Sequence, residues 1–451
     1  MTKNKNSRRK FIKIGLLGLG GVIVAERSFD YFSESKAKGK IVIVGGGAAG
    51  ITMAAYLTDQ LRNPDITIIE PSKTHYYQPG YTMIAGGVFT PEEITKPNKD
   101  LIPGGVTWVN DEVMTLNPDS NCLETRKNGK ICYDFLVLVP GCQMNFELIE
   151  GIDENRLGEG NVHSIYSFQG AQKCYEALVK MPGLLNGNLV FTDTYTKLKC
   201  GGAPKKICLM TEDYLRDRDS RKDKSIHYYS NDANLMTPKI FGDRLSEIYT
   251  ERNIQSHFNH RLVKVDTLNQ RATFELRPES TSASTPTDAN YEKVEVAFDF
   301  LHIVPPMCAP DFVKNSPLAI TEGSLKHGGW VDVDISTLIH NKYPNIISLG
   351  DVAGLPTSKT GAAIRMQAPV AAANLVALME GRQPIDSYNG YSACPIVTEY
   401  GKVLMAEFGY EKELMPTIPF IDPGVERGIW WILKKHGLKP MYYHGMLKGL
   451  M

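Results

Sequence analysis

A run of β-branched residues that ends in a glycine-rich turn is the first strong hydrophobic pattern in this 451-residue chain. Lys40–Val44 has the continuous apolar character of a buried parallel strand. A helical run then extends to Leu61, and a second apolar strand covers Ile66–Ile69. Strand, glycine turn, helix and strand within about 30 residues predict a βαβ unit of the dinucleotide-binding kind.

The turn between the two strands has the spacing of a phosphate-binding loop. Gly45 permits the tight turn, Gly47 lets the backbone approach a pyrophosphate, and Gly50 lets the helix pack on the strand. The amides around Ala48 and Ala49 point at the phosphates from the helix N-terminus. Because the loop has its strand and helix context, the pattern predicts a dinucleotide site.

An acidic residue and two later segments indicate which dinucleotide binds. Glu70 ends the second strand, where a carboxylate accepts from ribose hydroxyls and disfavours a 2′-phosphate, so FAD or NAD is favoured over NADP. Tyr133–Gly141 and Pro344–Ala353 resemble strand-and-turn segments of two-dinucleotide-binding flavoproteins. In that superfamily the residue matching Asp351 binds the flavin ribitol, and Gly350 allows close approach. Together these segments predict FAD as the cofactor.

The middle of the chain repeats the strand-and-helix pattern without a second phosphate loop. Asn188–Thr192 is an apolar strand, and no G-x-G-x-x-G follows it. Instead Cys200 precedes Gly-Gly and a helix that we predict to start near Pro204. A thiol at a helix N-terminus among lysines is expected to have a lowered pKa, which suits a nucleophile or an electron donor. A packed loop thiol is the alternative. The lysines are Lys197, Lys199, Lys205 and Lys206.

Spacing alone does not choose a partner for Cys200. Cys394 precedes Pro395 and is biased to an extended conformation, but Cys308 stands in an equally proline-rich segment. No Cys-x-x-Cys pair or zinc-type spacing occurs, and eight cysteines in so long a chain do not predict a disulfide framework. The default interpretation of any one cysteine is a small buried residue.

Seven further segments carry a family resemblance: His75–Pro79, Leu198–Pro204, Leu301–Pro306, Gly329–Asp334, Leu355–Thr360, Tyr388–Pro395 and Ala406–Phe408. On these segments the chain, from Lys40 to its end, resembles sulfide:quinone oxidoreductases of the eukaryotic-like group, which includes the mitochondrial enzymes. The resemblance implies that Cys200 and Cys394 form the redox pair. It also implies flavin contacts at the glycine loop and at Gln78, Val113 and Lys359.

The same resemblance leaves the remaining cysteines without a redox role. Lys359 is expected to stabilise negative charge on a reduced flavin, with a solvated surface lysine as the alternative. Cys308 departs from the mitochondrial pattern, and we interpret it as structural. The other cysteines with this interpretation are Cys122, Cys132, Cys142, Cys174 and Cys208.

The resemblance implies oxidation of hydrogen sulfide through the two cysteines and FAD, with transfer of electrons to membrane quinone. The sulfur would leave as a persulfide or polysulfide, on an acceptor such as a small thiol or sulfite. Two related activities are alternatives: the flavoprotein subunit of flavocytochrome c sulfide dehydrogenase, and an NADH:quinone dehydrogenase-like flavoenzyme. The missing second fingerprint argues against NADH, and the basic aromatic C-terminus argues against a haem partner.

The C-terminal residues 424–451 alternate apolar and aromatic side chains with Arg and Lys. This composition predicts one or two interfacial amphipathic helices, broken at Pro440, that contact a membrane surface. A helical pair packed on its own domain or on a dimer partner is the alternative. The residues expected at the headgroup level are Trp430, Trp431, Tyr442 and Tyr443.

The N-terminus has the features of an export signal. Ser7–Lys13 resembles a twin-arginine motif, and Ile14–Ala25 is an apolar run of signal length. The pattern predicts export and a peripheral or monotopic position on the periplasmic face of a bacterial inner membrane. An uncleaved anchor or an untranslocated basic tail is the alternative.

The predicted fold class is α/β, with two Rossmann-like (two-dinucleotide-binding) domains and a C-terminal membrane-associating segment. A formal net charge of zero gives no indication of a nucleic-acid partner. No metal site is expected, and no internal stretch reaches the roughly 18 apolar residues of a membrane span. The predicted parts are a signal or anchor (1–38), an FAD-binding domain (39–150 and 300–385), a second Rossmann-like domain carrying Cys200 (151–299) and a C-terminal region carrying Cys394 (386–451).

Overall fold

The computed structural model describes residues 34–278 and 291–451. The predicted twin-arginine motif and the apolar run behind it lie outside the described residues. Ser35, near the start of the described part, is buried, and its amide donates to the carbonyl of Gln60 at 2.8 Å. The chain therefore already packs on the first helix before the first strand begins.

Helices and strands alternate through most of the described chain. The helices are α1 (Ala48–Gln60), α2 (Tyr81–Ala85), α3 (Phe168–Lys180), α4 (Ala203–Arg216), α5 (Lys239–Glu251), α6 (Asp311–Lys314), α7 (Gly361–Met379), α8 (Gly428–Ile432) and α9 (Leu438–Pro440). The strands are β1 (Lys40–Val44), β2 (Asp65–Ile69), β3 (Thr74–Tyr76), β4 (Thr95–Pro97), β5 (Thr107–Val109), β6 (Val113–Asn117), β7 (Cys122–Thr125), β8 (Gly129–Cys132), β9 (Phe135–Leu138), β10 (Gln143–Met144), β11 (Val162–His163), β12 (Asn188–Thr192), β13 (Ser225–Tyr229), β14 (Ile254–His257), β15 (His260–Asp266), β16 (Arg271–Leu276), β17 (Glu292–Ala297), β18 (Phe300–His302), β19 (Met307–Cys308), β20 (Ile346–Ser348), β21 (Ser392–Glu399) and β22 (Lys402–Phe408).

The first parallel sheet has the strand order β20-β9-β1-β2-β5. Ile41, Val42 and Ile43 of β1 are fully buried, as expected for a central strand covered on both faces. α1 packs against α7 on this sheet. Because β1, β9 and β20 are parallel neighbours, the turns that follow them meet at one edge of the sheet. That edge carries the glycine loop and Gly350.

A second parallel sheet has the order β11-β18-β12-β13-β14, with an antiparallel sheet β15-β16-β17 beside it. Phe191, Leu209, Tyr228 and Ile248 are fully buried between the second sheet and its helices. Two parallel sheets with flanking helices confirm the predicted α/β class. The predicted domain boundaries stay predictions; β18, just past residue 299, joins the second sheet.

The C-terminal part begins with the hairpin β21-β22, whose first strand packs on α4. A helical path then runs through α8, a π turn at Leu433–Gly437, α9, and a second π turn at Met441–Gly445. The predicted break at Pro440 is wrong, because this residue has helical angles of φ −58° and ψ −43°. The π turns on either side change the hydrogen-bond register, which accommodates a residue without an N–H.

Within the described chain, α7 is the one helix long and apolar enough to cross a membrane. It contains Arg365, and its Ala368, Ala371 and Leu375 are fully buried in the core. Packing on α1 explains the apolar surface of this helix as part of the protein interior.

Cys122 and Cys132, which we interpreted as small structural residues without a disulfide framework, instead form a disulfide. They lie directly opposite each other in the antiparallel pair β7-β8. Directly opposed residues bring their side chains within bonding reach, and only the hairpin register creates that opposition. Sequence spacing did not reveal this register.

Candidate active site

The glycine loop between β1 and α1 has the geometry that a phosphate-binding turn needs. Gly45 has a φ of +106°, and a Cβ on it would lie 2.4 Å from the carbonyl oxygen of Val139. A Cβ on Gly50 would lie 1.8 Å from the carbonyl oxygen of Gly45. A Cβ on Gly47 would meet nothing within 4 Å, so the backbone there is open to approach at the start of α1. Ala48 begins α1 at this point.

Glu70 lies against the loop, and its contact with ribose hydroxyls stays a prediction. Its Oε2 accepts from the Gly46 amide and its Oε1 from the Ser72 amide, each at 2.7 Å. Burial raises the pKa of the Glu70 carboxyl, and these two amide hydrogen bonds oppose the rise. The carboxylate therefore holds the loop closed and places a hydrogen-bond acceptor at the edge of the first sheet that carries the glycine loop and Gly350, which we call the nucleotide edge.

The segment after β20 brings a second set of predicted residues to the same edge. Gly350 has a φ of +73°, and a Cβ there would lie 3.4 Å from Cβ of Ala49. Its amide donates to Oε1 of Gln367 at 2.9 Å. Burial raises the pKa of Asp351, while the charges of two neighbouring lysines lower it. The residues present thus fit a flavin dinucleotide laid across this edge. Val113 begins β6 and is buried; its adenine contact stays a prediction.

Lys359 is buried beside this edge, so the alternative of a solvated surface lysine is wrong. Its Nζ donates to the carbonyl of Ala353 at 3.0 Å and lies 3.8 Å from the centre of the Trp330 ring. Burial lowers the pKa of Lys359 to about 8, and the charge of Asp351 opposes the change. Its backbone carbonyl accepts from the amide of Cys200 at 2.8 Å. Lys359 therefore connects the nucleotide edge to the loop that contains Cys200 and precedes α4, which we call the cysteine loop.

Gln78 makes a second connection of the same kind. Its Oε1 accepts from Nζ of Lys199 at 3.0 Å, and Lys199 directly precedes Cys200 in the chain. Two of the three flavin-contact residues implied by the resemblance therefore lie against the cysteine loop. The contact of Gln78 with the flavin stays a prediction.

Cys200 occupies an unusual backbone conformation just before α4. Its φ is +50°, in the left-handed region that is costly for a residue with a Cβ. Its carbonyl accepts from the amide of Ala203 at 2.8 Å and from the hydroxyl of Tyr166 at 3.4 Å. These contacts and the Lys359 carbonyl stabilise the conformation from both sides of the loop.

Cys394 reaches the same place from β21. It is 3% exposed, and a Cβ on Gly202 would lie only 2.5 Å from its Sγ. Cys200 and Cys394 pack in the same buried cluster, and each affects the pKa of the other. Two cysteines separated by almost two hundred residues are thus neighbours, whereas Cys308 lies on β19 and accepts from Nδ2 of Asn145 at 3.2 Å.

Two buried lysines provide the electrostatic environment of the pair. Nζ of Lys206 lies 3.3 Å from Sγ of Cys200, and Lys206 also interacts electrostatically with Cys394. Lys434 is 5% exposed. The hydrogen bond from Cys394, followed by the charges of Lys206 and Lys434, holds the pKa of Cys200 well below its usual range despite burial. The hydrogen bond to Cys200 and burial raise the pKa of Cys394 well above its usual range. The Lys206 ammonium at 3.3 Å from the Cys200 sulfur therefore favours negative charge on Cys200 over Cys394.

Lys434 is the site residue that sequence reasoning missed. The amphipathic pattern of the C-terminus placed it among lysines facing a membrane, but it lies in the first π turn with its side chain beside Lys206. Burial and the Lys206 charge lower the pKa of Lys434 to about 7. No local pattern marks it, because only the path of the C-terminal helical segment brings it to the cysteines. Tyr166 was missed for the same reason.

The other free cysteines occupy structural positions. Cys174 and Cys208 are buried in the core around the second sheet. Cys142 is half-buried, and burial raises its pKa to about 11. These positions agree with the interpretation of the three as structural residues. In the described chain, no group of three or more His, Cys, Asp or Glu side chains is arranged to hold a metal ion.

Two parallel dinucleotide-type sheets, a phosphate loop and a polarised cysteine pair define a flavin-dependent disulfide oxidoreductase class of protein. The family model described as pyridine nucleotide-disulphide oxidoreductase matches residues 39–180. The chain is 38% identical over 433 residues to a mitochondrial sulfide:quinone oxidoreductase of Dictyostelium discoideum, covering 95% of this chain and 91% of the relative. It is 35% identical to the mitochondrial sulfide:quinone oxidoreductase of Mus musculus, covering 91% of this chain and 86% of the relative. The chain belongs to the sulfide:quinone oxidoreductase family.

A solved structure supports the fold. The sulfide:quinone oxidoreductase from the hyperthermophilic bacterium Aquifex aeolicus superposes with a TM-score of 0.72 at 20% identity, covering 92% of each chain. Family membership confirms FAD as the cofactor. The contacts of the glycine loop and the Gly350 turn with FAD stay predictions.

Proposed function

We propose that this protein oxidises hydrogen sulfide with Cys200 and Cys394 and transfers the electrons through FAD to a membrane quinone. The observation that carries the proposal is that the two cysteines pack in one buried cluster, with Nζ of Lys206 3.3 Å from the sulfur of Cys200. A thiolate stabilised by buried cations is a good leaving group in thiol–disulfide exchange. The family names of the curated relatives supply the substrates that such a pair would serve.

The first step starts from a disulfide between the two cysteines. Hydrosulfide attacks the sulfur of Cys394, a new S–S bond forms there, and the Cys200–Cys394 bond breaks. Cys200 leaves as the thiolate, because its lowered pKa makes it the better leaving group of the two. Lys206 and Lys434 hold that negative charge, and no proton needs to be supplied to Cys200.

The second step returns the pair to its starting state. A sulfur acceptor, which we propose to be a small thiol or sulfite, attacks the outer sulfur of the Cys394 persulfide and removes it. The two thiolates that remain form the disulfide again and release two electrons. FAD, when bound, would be the two-electron acceptor for this step, and quinone would be the final acceptor.

Serine variants of the two cysteines test the proposal. Cys200→Ser and Cys394→Ser should retain FAD but lose anaerobic reduction of the flavin by sulfide in the presence of sulfite as the sulfur acceptor. Cys308→Ser is the matched control, because Cys308 is also buried and free but lies outside the pair. Normal reduction of both pair variants by sulfide would end the proposal. Parallel assays with a short-chain quinone, cytochrome c and NADH separate it from the two alternative activities.

We also propose that the C-terminal segment contacts the membrane, through a smaller surface than the sequence indicated. Phe420, Ile429 and Ile432 are 81%, 55% and 56% exposed, which suits an apolar contact with lipid. Tyr442 and Tyr443 are buried against Tyr77, so their predicted headgroup positions are wrong. Co-sedimentation with phospholipid vesicles should fall when Ile429 and Ile432 are changed to Ser. Unchanged sedimentation would refute this contact surface.

Export by the twin-arginine route remains part of the proposal. The Cys122–Cys132 disulfide supports maturation in an oxidising compartment, because disulfides rarely persist in the cytosol. The curated relatives are named as mitochondrial, which does not support bacterial export and counts against this part of the proposal. Cell fractionation with Arg8 and Arg9 changed to Lys tests the route: export should be lost, and an unchanged distribution would refute it.

A further inference from the structure

The carboxylate of Asp193 is buried at the carboxyl end of β12, where a nucleotide-binding relative would carry its second phosphate loop. Its Oδ2 accepts from Nζ of Lys205 at 3.1 Å and from the hydroxyl of Ser230 at 3.0 Å. Its Oδ1 accepts from the amide of Asn231 at 2.8 Å, and the Tyr228 hydroxyl lies 3.4 Å from Oδ2. The carboxylate is therefore fixed by its surroundings, and it does not touch either cysteine in these contacts.

Lys205 links this fixed carboxylate to the cysteine loop. Its Nζ also donates to the carbonyl of Gly201 at 3.4 Å, one residue after Cys200. The side chains of Lys205 and Asp193 are 8% and 5% exposed, so little water screens the ion pair. The sequence suggested that Lys205 would act directly on the thiol. The structure instead directs its charge to Asp193 and leaves Lys206 for the sulfur.

The loop that Lys205 holds is one that needs support. Cys200 has a left-handed backbone, which persists in a residue with a Cβ only when neighbouring contacts determine it. Lys205 is the third residue of α4, so fixing its side chain also fixes the rotation of the first turn. Lys206 is the next residue on that turn, and its Nζ lies 3.3 Å from the Cys200 sulfur.

We propose that Asp193 and Lys205 are positioning residues for the cysteine pair. They hold the Gly201 carbonyl and the first turn of α4, so that the Cys200 sulfur stays against Lys206 and Cys394. The inference rests on the proposed function for its consequence in turnover, but the geometry of the thiol is measurable without sulfide. The Asp193–Lys205 ion pair thus lies where a nucleotide-binding relative would carry a second phosphate loop, and in this chain it supports the loop that carries the leaving thiolate.

The test compares four variants of the full-length, FAD-loaded enzyme. Asp193→Asn keeps the shape but removes the charge, Lys205→Met removes the donor, and Lys205→Arg keeps a cation that reaches both acceptors. Lys224→Met is the matched control. Lys224 is a buried lysine paired with Asp223 at 2.8 Å, and it lies at the amino end of β13, the opposite end of the same sheet.

The first readout is the pH dependence of Cys200 alkylation in the reduced enzyme, followed by peptide mass spectrometry. Asp193→Asn and Lys205→Met should move the alkylation profile to higher pH, and flavin reduction by sulfide should fall about tenfold or more. Lys205→Arg should keep most of the wild-type alkylation profile and of the wild-type rate of flavin reduction, and Lys224→Met should change neither of these two quantities. A role confined to stability would lower the unfolding temperature of Lys205→Met and Lys224→Met alike but leave the alkylation profile in place.

Unchanged alkylation profiles in Asp193→Asn and Lys205→Met would overturn the inference. If Asp193→Asn does not fold, the comparison of Lys205→Met with Lys205→Arg decides whether the inference holds. Equal alkylation profiles for these two variants would count against the inference. Failure of the proposed function is a distinct result, because it would appear as normal sulfide reduction in Cys200→Ser, whatever the alkylation profiles show.

Discussion

Changing Lys206 to Met tests the electrostatic role of the lysine that contacts the Cys200 sulfur. Methionine has a similar length and suits a buried position, since Lys206 is 2% exposed. The change removes a charged hydrogen bond of 3.3 Å to the Cys200 sulfur. Although burial opposes it, the two thiols raise the pKa of Lys206, so the lysine is charged at neutral pH.

The size of the effect follows from that one contact. A hydrogen bond to a charged group stabilises by about 1.5–3 kcal/mol. Thiol–disulfide exchange develops about half of the full charge on sulfur in the transition state. The barrier to loss of the Cys200 thiolate should therefore rise by about 0.75–1.5 kcal/mol, which slows the step roughly 4- to 13-fold.

Anaerobic stopped-flow mixing with sulfide and excess sulfite, the sulfur acceptor, measures this step through the rate of flavin reduction. Lys206→Met should be slower by the stated factor, and its Cys200 alkylation profile should move to higher pH. Lys224→Met controls for the loss of a buried lysine elsewhere in the domain. An unchanged rate and an unchanged profile in Lys206→Met would refute the reasoning that Lys206 holds the leaving thiolate.

Three further changes test other parts of the site. Gly202→Ala should impair sulfide-dependent flavin reduction but not FAD retention, because its Cβ would lie 2.5 Å from the Cys394 sulfur. Gly201→Ala is the control, because the nearest atom to its Cβ would be Leu198 Cδ2 at 3.9 Å. Equal rates of flavin reduction in the two variants would contradict the packing argument. Glu70→Gln should weaken FAD retention in a dilution-release assay about tenfold, since a charged acceptor at the ribose edge is lost, and unaltered release would count against that role. Lys434→Met should raise the unfolding temperature most below pH 7, where the wild-type protein keeps a buried charged lysine. Because burial lowers the pKa of Lys434 to about 7, folded Lys434 binds fewer protons than unfolded Lys434 above that pH, and the wild-type protein becomes more stable as the pH rises. The difference in unfolding temperature between variant and wild type should therefore narrow toward alkaline pH. A gap between the two unfolding temperatures that does not change with pH would show that Lys434 is not buried as described.

Local patterns predicted the nucleotide edge well. The glycine turn, Glu70 and the Gly350 turn each follow a strand of the first sheet, and parallel neighbours bring their carboxyl ends together. The physical reason is that strand, turn and helix are specified within short stretches of sequence. A reader of the sequence can therefore place these residues before knowing the fold.

The cysteine site could be predicted only in part. Cys200 was marked by its helix and its lysines, but Cys394 was chosen by family resemblance, since nothing local separates it from Cys308. Lys434 and Tyr166 were not predicted, because their roles arise from tertiary packing between distant segments. The register of β7 against β8, which joins Cys122 to Cys132, is likewise a property of the folded hairpin.

The C-terminal segment shows how an amphipathic pattern can mislead. Tyr442, Tyr443, Met446 and Leu447 are buried against the rest of the protein, although aromatic and basic residues alternate as on a membrane surface. The same pattern serves a helix that covers its own domain. Only the exposed side chains, above all Ile429 and Ile432, distinguish the part that remains available to lipid.

Peptide mapping of the enzyme before and after anaerobic sulfide tests most directly whether the two sulfur atoms react as a pair. Before sulfide, the peptides that contain Cys200 and Cys394 should be joined by a disulfide. After one equivalent of sulfide, Cys394 should carry one additional sulfur and Cys200 should become open to alkylation. Two unlinked cysteines at the start, with no sulfur added to Cys394, would contradict the account.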